Sequence, residues 1–150
     1  MHSIRVVREE DSPEMARLAG QLGYPTDAGS MGLRLRRLLD SPNDIVFVAE
    51  SADGALIGWA HGFLSQLLES DFRAEIGGLI VDERFHRQGI GRELVRRIEV
   101  WAAEHGAAQV SVRCRTTRPE AHQFYEKLGY QPAKTQIAFR KTLGGVIESG

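Results

Sequence analysis

Phe72-Arg73-Ala74-Glu75-Ile76-Gly77-Gly78-Leu79-Ile80-Val81 reads as an extended run, and His86-Arg87-Gln88-Gly89-Ile90-Gly91-Arg92 opens a helix shortly after it. Adjacent glycines inside a strand mark a bulge or a close approach by a ligand or another backbone. Gly89 and Gly91 let the chain come close to a ligand, and the unpaired N–H groups of the first helical turn present a positive dipole end. Together they make a site for a phosphate or pyrophosphate, to which Arg87 and Arg92 add charge. Two nucleotide-binding patterns are excluded. No Gly-Lys-Ser/Thr ending completes a P-loop, and Leu94 occupies the position where a dinucleotide fingerprint needs its third small residue. The phosphate belongs to a ligand of another kind.

Working outward, Leu94, Ile98, Trp101 and Ala102 form the apolar stripe of a helix over 91–105, with Glu93 and Arg97 as an i,i+4 pair and Gly106 as its stop. A strand over Gln109–Cys114 leads to Pro119, which starts a helix carrying Ala121, Phe124, Tyr125 and Leu128 on one stripe and ending at Gly129. A last strand is expected over Thr135–Thr142, with a frayed tail over 144–150. Towards the N-terminus, Ile4–Val7 is a short β-branched run. Asp11 or Ser12 then caps a helix bearing Met15, Leu18, Ala19 and Leu22, and a second helix carries Leu35, Leu38 and Leu39 as far as Ser41-Pro42. Strands Ile45–Glu50 and Ala55–Leu64 are joined at Asp53-Gly54, a hairpin signal. With no repeat, linker or low-complexity segment, residues 1–150 read as a single domain.

Composition narrows the functional classes. The chain has 19 Lys+Arg against 20 Asp+Glu, a net charge of −1, which argues against a nucleic-acid binder. Cys114 is the only cysteine, so no disulfide framework or multi-cysteine zinc site can form, and a reducing compartment fits. The histidines lack metal-ligand spacing, and no metal is expected. Ala55–Leu64, the longest mostly apolar run, is about half the length of a membrane span, no export signal is readable, and a cytoplasmic location is the expectation. The near-neutral balance hides a division: residues 1–83 carry −7, residues 84–118 carry +5 and residues 119–150 carry +1. The basic stretch coincides with the phosphate loop, as a multiply anionic ligand requires, and the acidic half favours a cationic substrate.

Three features in order resemble the GNAT superfamily of acyl-CoA-dependent N-acetyltransferases. His86 to Gly91 is similar to the Arg/Gln-x-x-Gly-x-Gly/Ala phosphate loop, Phe124-Tyr125-Glu126-Lys127-Leu128-Gly129-Tyr130 to the C-terminal Phe-Tyr-Glu-Lys-x-Gly-Phe/Tyr signature, and Glu75, 14 residues before Gly89, to a basic glutamate on the preceding strand. His86 departs from the usual Arg or Gln, and Arg118 stands where many members have an Asn that contacts the cofactor. The resemblance implies an α/β (α+β type) fold: a mixed, mostly antiparallel sheet of six to seven strands, flanked by about four helices, with splayed central strands. It also implies acetyl-CoA as acyl donor and a small-molecule primary amine as acceptor, which attacks the thioester directly. Leu79 N–H would polarise the thioester carbonyl, Ile80 and Val81 would pair with the pantetheine arm, and His86, Arg87, Gln88, Gly89, Ile90, Gly91, Arg92 and Arg118 would hold the rest of the cofactor. Tyr125 would protonate the departing thiolate and Glu75 would accept the amine's proton.

Read without the resemblance, Tyr125 packs in a helix stripe, Glu75 is an exposed strand residue, and His61 and His122 are structural or solvated. A non-catalytic acyl-CoA sensor or interaction domain on the same fold is the alternative. The resemblance assigns acceptor recognition to Gln21–Leu39 and Ser65–Phe72, where Asp27, Asp40, Glu69 and Asp71 are candidates to attract an ammonium group. Aminoglycosides, polyamines, amino acids and protein N-termini all stay open. Homodimers are common among such folds, which makes the C-terminal strand a candidate contact edge.

Overall fold

The computed structural model describes residues 1–114 and 117–144. The first β-branched run becomes β1 (His2–Val6), and the hairpin signal at Asp53-Gly54 joins β2 (Asp44–Ser51) to β3 (Leu56–Ser65). The glycine-containing run is β4 (Arg73–Val81), and β5 (Gln109–Val112) follows the long helix. The sheet order is β1-β2-β3-β4-β5, antiparallel from β1 to β4 and parallel between β4 and β5.

Helices cover the two faces of this sheet. On one face lie α1 (Ser12–Gln21) and α2 (Ala28–Leu39), whose Met15, Leu18, Ala19, Met31 and Leu35 enclose a core with Val46, Val48, Leu56 and Ile80. On the other lies α3 (Ile90–Glu104), whose Ile90, Leu94 and Ile98 pack down on Gly58 and Gly62 of β3. Each of these buried aliphatic side chains stabilises the fold by roughly 1.5–3 kcal/mol relative to exposure.

Internal contacts divide the chain into a unit of residues 1–113 and a second that begins at Cys114. In the second, Pro119 starts α4 (Pro119–Lys127), and Gly129, at φ +96°, turns the chain so that Tyr130 N–H donates to the Tyr125 carbonyl at 3.0 Å.

Four expectations change. The described sheet has five strands rather than six or seven, because residues 131–143 form no strand. The Thr135–Thr142 pattern finds no described ladder to take its N–H and C=O groups, and Ile137 and Phe139 stay 80% and 90% exposed. Asp11 stands at the N-cap of α1 but gives that helix no side-chain bond: Arg5 binds its carboxylate bidentately at 2.8 and 2.9 Å, and Arg8 N–H, at the start of the preceding 3-10 turn, adds a bond at 2.7 Å. Burial opposes its ionisation, yet these bonds prevail and hold Asp11 below the usual carboxylate range. Finally, Glu93 pairs with His2 at 3.0 Å, while Arg97 donates to Ile4 O and lies over the Phe47 ring, so both serve tertiary contacts. The expected frayed tail from Gly145 onwards lies outside the described residues.

Candidate active site

β4 has two unlike halves. Residues Arg73 to Ile76 pair with β3 on one edge and with Gln109 to Val112 of β5 on the other. Beyond Ile76 the parallel ladder stops, while the β3 ladder continues through a register shift at His61/Gly62 as far as Val81. The shift is a bulge built on Gly77-Gly78. A Cβ on Gly77 would lie 2.8 Å from His61 Nδ1, and one on Gly78 would lie 3.1 Å from Trp59 Cζ3. Both would-be side chains point to the α1/α2 face, so only a glycine pair admits this backbone course without displacing a ring.

Beyond the bulge, Asp82 N–H donates to Ile57 O of β3 at 2.9 Å. Alternation along an antiparallel strand therefore turns Ile80 towards β3 and the N–H groups of Leu79 and Val81 towards the open edge. The expected roles are refined accordingly. Leu79 and Val81 offer edge groups, whereas Ile80 places its backbone in the β3 ladder and its side chain, 7% exposed, in the core. The Val81 carbonyl already accepts a hydrogen bond from His86 Nε2 at 2.9 Å, so His86 acts on the strand edge.

The loop after β4 is anchored by Asp82. Its carboxylate, fully buried, accepts from Arg84 N–H at 3.0 Å and from the Arg84 guanidinium at 3.0 Å. That guanidinium holds Asp82 below the usual carboxylate range although burial opposes it. Asp82 escaped the sequence reading; a lone aspartate followed two residues later by an arginine is too common a pattern to signal it. Arg87 and Gly89 then adopt left-handed backbone, at φ +66° and +80°. Glu93 is the first residue of α3 met by the helix itself, at Gly89 O. The N–H groups of Ile90, Gly91 and Arg92 therefore lie in the unpaired first turn, with exposed Arg87 and Arg92 nearby in sequence. A Cβ on Gly89 would meet nothing within 4 Å, which leaves open space at this helix start. These groups fit a pyrophosphate, and the free edge of β4 fits an amide-bearing arm.

Glu75 lies before the bulge, on the paired half. Ser111 Oγ donates to its Oε1 at 3.3 Å, and Arg113 Nε approaches the same oxygen at 3.7 Å. Tyr125 and Arg118 belong to the second unit. There the Tyr125 ring lies edge-on to Phe124 at 4.9 Å and to Tyr130 at 5.7 Å. Burial, aided by Cys114, pushes the Tyr125 hydroxyl up, so it holds its proton at neutral pH. Burial also raises the Cys114 thiol. Of the acidic candidates for acceptor binding, Asp27 is committed as the cap of α2, accepting from Ser30 N–H at 2.7 Å and Ser30 Oγ at 3.0 Å. Among the described residues, no cluster of three or more His, Cys, Asp or Glu can hold a metal ion, and no helix is long and apolar enough to cross a membrane.

Among the described residues, the strand edge left open by the glycine bulge runs on into a glycine-rich helix start, and the backbone groups of both are of the kind that can hold an extended, phosphorylated ligand. The model of the acetyltransferase (GNAT) family matches residues 8–130, and the chain belongs to that family. It is an acyltransferase, and acetyl-CoA is its acyl donor. Two aminoglycoside N(6')-acetyltransferases of type 1 are similar to it. That of Serratia marcescens is 27% identical, covering 73% of this chain and 78% of the relative; that of Stenotrophomonas maltophilia is 25% identical, covering 94% of each. An aminoglycoside antibiotic 6'-N-acetyltransferase from Acinetobacter baumannii shares the fold at a TM-score of 0.84, with 18% identity over 96% of this chain and all of that one.

Proposed function

We propose that this protein transfers an acetyl group from acetyl-CoA to the primary amine of a cationic small molecule, with the 6'-amine of an aminoglycoside as the first acceptor to test. The observation that carries this reading is the end of the β5 ladder at Ile76, which leaves Leu79 and Val81 N–H on an edge. Leu79 N–H donates to the thioester carbonyl and stabilises the charge that develops on its oxygen; a preorganised donor of this kind contributes about 100-fold to rate. Val81 pairs with the pantetheine arm. His86, Arg87, Gln88 and Gly89, the first turn of α3 and Arg118 hold the phosphorylated part. Glu75 draws in the acceptor ammonium and takes its proton, directly or through water, and Tyr125, kept protonated by burial, gives a proton to the leaving thiolate. The acceptor class is supported by the aminoglycoside acetyltransferases similar to this chain and by the −7 charge of residues 1–83. The family match runs across both structural units, which supports one functional domain. A cytoplasmic location accords with the single cysteine.

The test is thiol release from acetyl-CoA against kanamycin, spermidine, lysine and a peptide with a free N-terminus. Turnover of kanamycin ahead of the others is expected, together with thermal protection by acetyl-CoA and none by ATP or NAD. Protection without thiol release on any amine replaces catalysis with acyl-CoA sensing. A Tyr125→Phe protein that keeps full turnover removes the proton donor.

A further inference from the structure

His61 reads as a lone histidine in the sequence, and the fold gives it a partner. Its Nε2 lies 2.8 Å from Asp44 Oδ1, and the other Asp44 oxygen accepts from Ser41 Oγ at 2.7 Å. The carboxylate therefore fixes the proton on Nε2 and leaves Nδ1 with its lone pair. Nδ1 faces the would-be Cβ position of Gly77 at 2.8 Å, over the bulge where β4 leaves β5. The free edge of β4 is about one strand spacing, roughly 5 Å, from β3. His61 retains 22% side-chain exposure, so the ring is accessible. Trp59, Phe63 and Gly77 shape its surroundings. The charged groups that β2 and β4 place near His61 on this face are Asp44, Glu75 beyond Phe63 and Arg73, with Arg113 beside Glu75; of the helices packed there, α1 carries Glu14 and Arg17, paired at 3.0 Å, and α2 carries Arg34, which donates to Thr26 Oγ1, and Arg36, paired with Glu9.

We propose that His61, oriented by Asp44, is a second proton acceptor for the acceptor ammonium. The inference rests on the acetyl-transfer reading above and deepens it. One N–H bond of the ammonium breaks as Nδ1–H forms, directly or through one water, and the imidazolium is held by the Asp44 carboxylate. The freed lone pair forms the C–N bond to the acetyl carbon, the C–S bond breaks, and the second proton of the nitrogen ends on the thiolate sulfur. His61 then returns its proton to solvent. An imidazole is by type about two pKa units closer to a primary amine than a carboxylate is, which makes it the better matched base near neutral pH. Asp44 is a positioning residue.

The experiment compares wild type, His61→Gln, Asp44→Asn and Glu75→Gln in thiol release from pH 5.5 to 9, using kanamycin or whichever panel amine is turned over fastest. Thermal unfolding with acetyl-CoA serves as the folding check. His61→Gln is expected to lower kcat at least tenfold with the KM for acetyl-CoA within twofold, and the double variant with Glu75→Gln to fall below either single one. Asp44→Asn, which removes the carboxylate that orients the ring, is expected to lower kcat with the KM for acetyl-CoA within twofold, and Asp44→Glu to recover part of the loss; this answers the question even if His61→Gln fails to fold. Full turnover in His61→Gln, or in Asp44→Asn, overturns the role of His61 while the acetyl-transfer reading stands. A wild-type protein that releases no thiol with any amine overturns both.

Discussion

The two halves of β4 differ by a glycine pair and by everything that follows from it. Arg73 to Ile76 is bonded on both edges, and its Ala74 and Ile76 are buried, at 0% and 6% exposure, where any added atom meets neighbours. Among the described residues, Gly77 to Val81 keeps only the β3 ladder, and the second edge is left as a row of backbone groups. An unpaired edge is ordinarily a liability that invites other strands. Here it is short, and it runs straight into a turn fastened by Asp82 and closed by His86. The same strand thus shows that a stretch can serve stability or binding according to whether its second edge is occupied.

If that contrast is sound, the largest loss comes from filling the bulge. Gly77→Val drives a side chain into His61 and Phe63, and kcat/KM is expected to fall about 100-fold as the edge shifts by about 1 Å. Unfolding should become easier by about 1–3 kcal/mol in the same protein, as judged by denaturant melts. Next comes the paired half: Ala74→Leu is expected to cost about 1–3 kcal/mol of stability through overpacking, while kcat per folded molecule stays within twofold. Equal loss of turnover from both substitutions would erase the distinction between the halves. Gly89→Ala, at a left-handed position, is expected to lose about 1–2 kcal/mol and to raise the KM for acetyl-CoA with little change in kcat. The smallest effect is a pH dependence. Because Asp82 is held below the usual carboxylate range when folded, its contribution is complete above about pH 4 and is lost as the pH falls through the folded value. The acid slope of Tm should therefore flatten in Asp82→Asn, and an unchanged slope would release Asp82 from its role in fastening the turn.

Much of this was legible from residues close together in the chain. The stripe of Leu94, Ile98, Trp101 and Ala102 faces the sheet as its spacing predicts, the Asp53-Gly54 hairpin forms, and the Gly77-Gly78 pair does mark a bulge. Pairings over distance were not legible. Glu93 and Arg97 prefer His2 and Ile4 to one another, and the Asp11 carboxylate turns from α1 to Arg5, whose guanidinium offers it two bonds. The strand expected over Thr135–Thr142 has the right alternation and no described partner.

Helix stripes, turn residues, the glycine-rich loop and the family signature are properties of neighbouring residues, and local propensity with periodicity is enough to specify them. Which edge of β4 stays open, which of Leu79, Ile80 and Val81 reaches it, and that Asp44 comes to stand behind His61 depend on strand register. Register is settled only when separate segments compete for the same hydrogen bonds and the same buried volume, so the tertiary structure alone decided it.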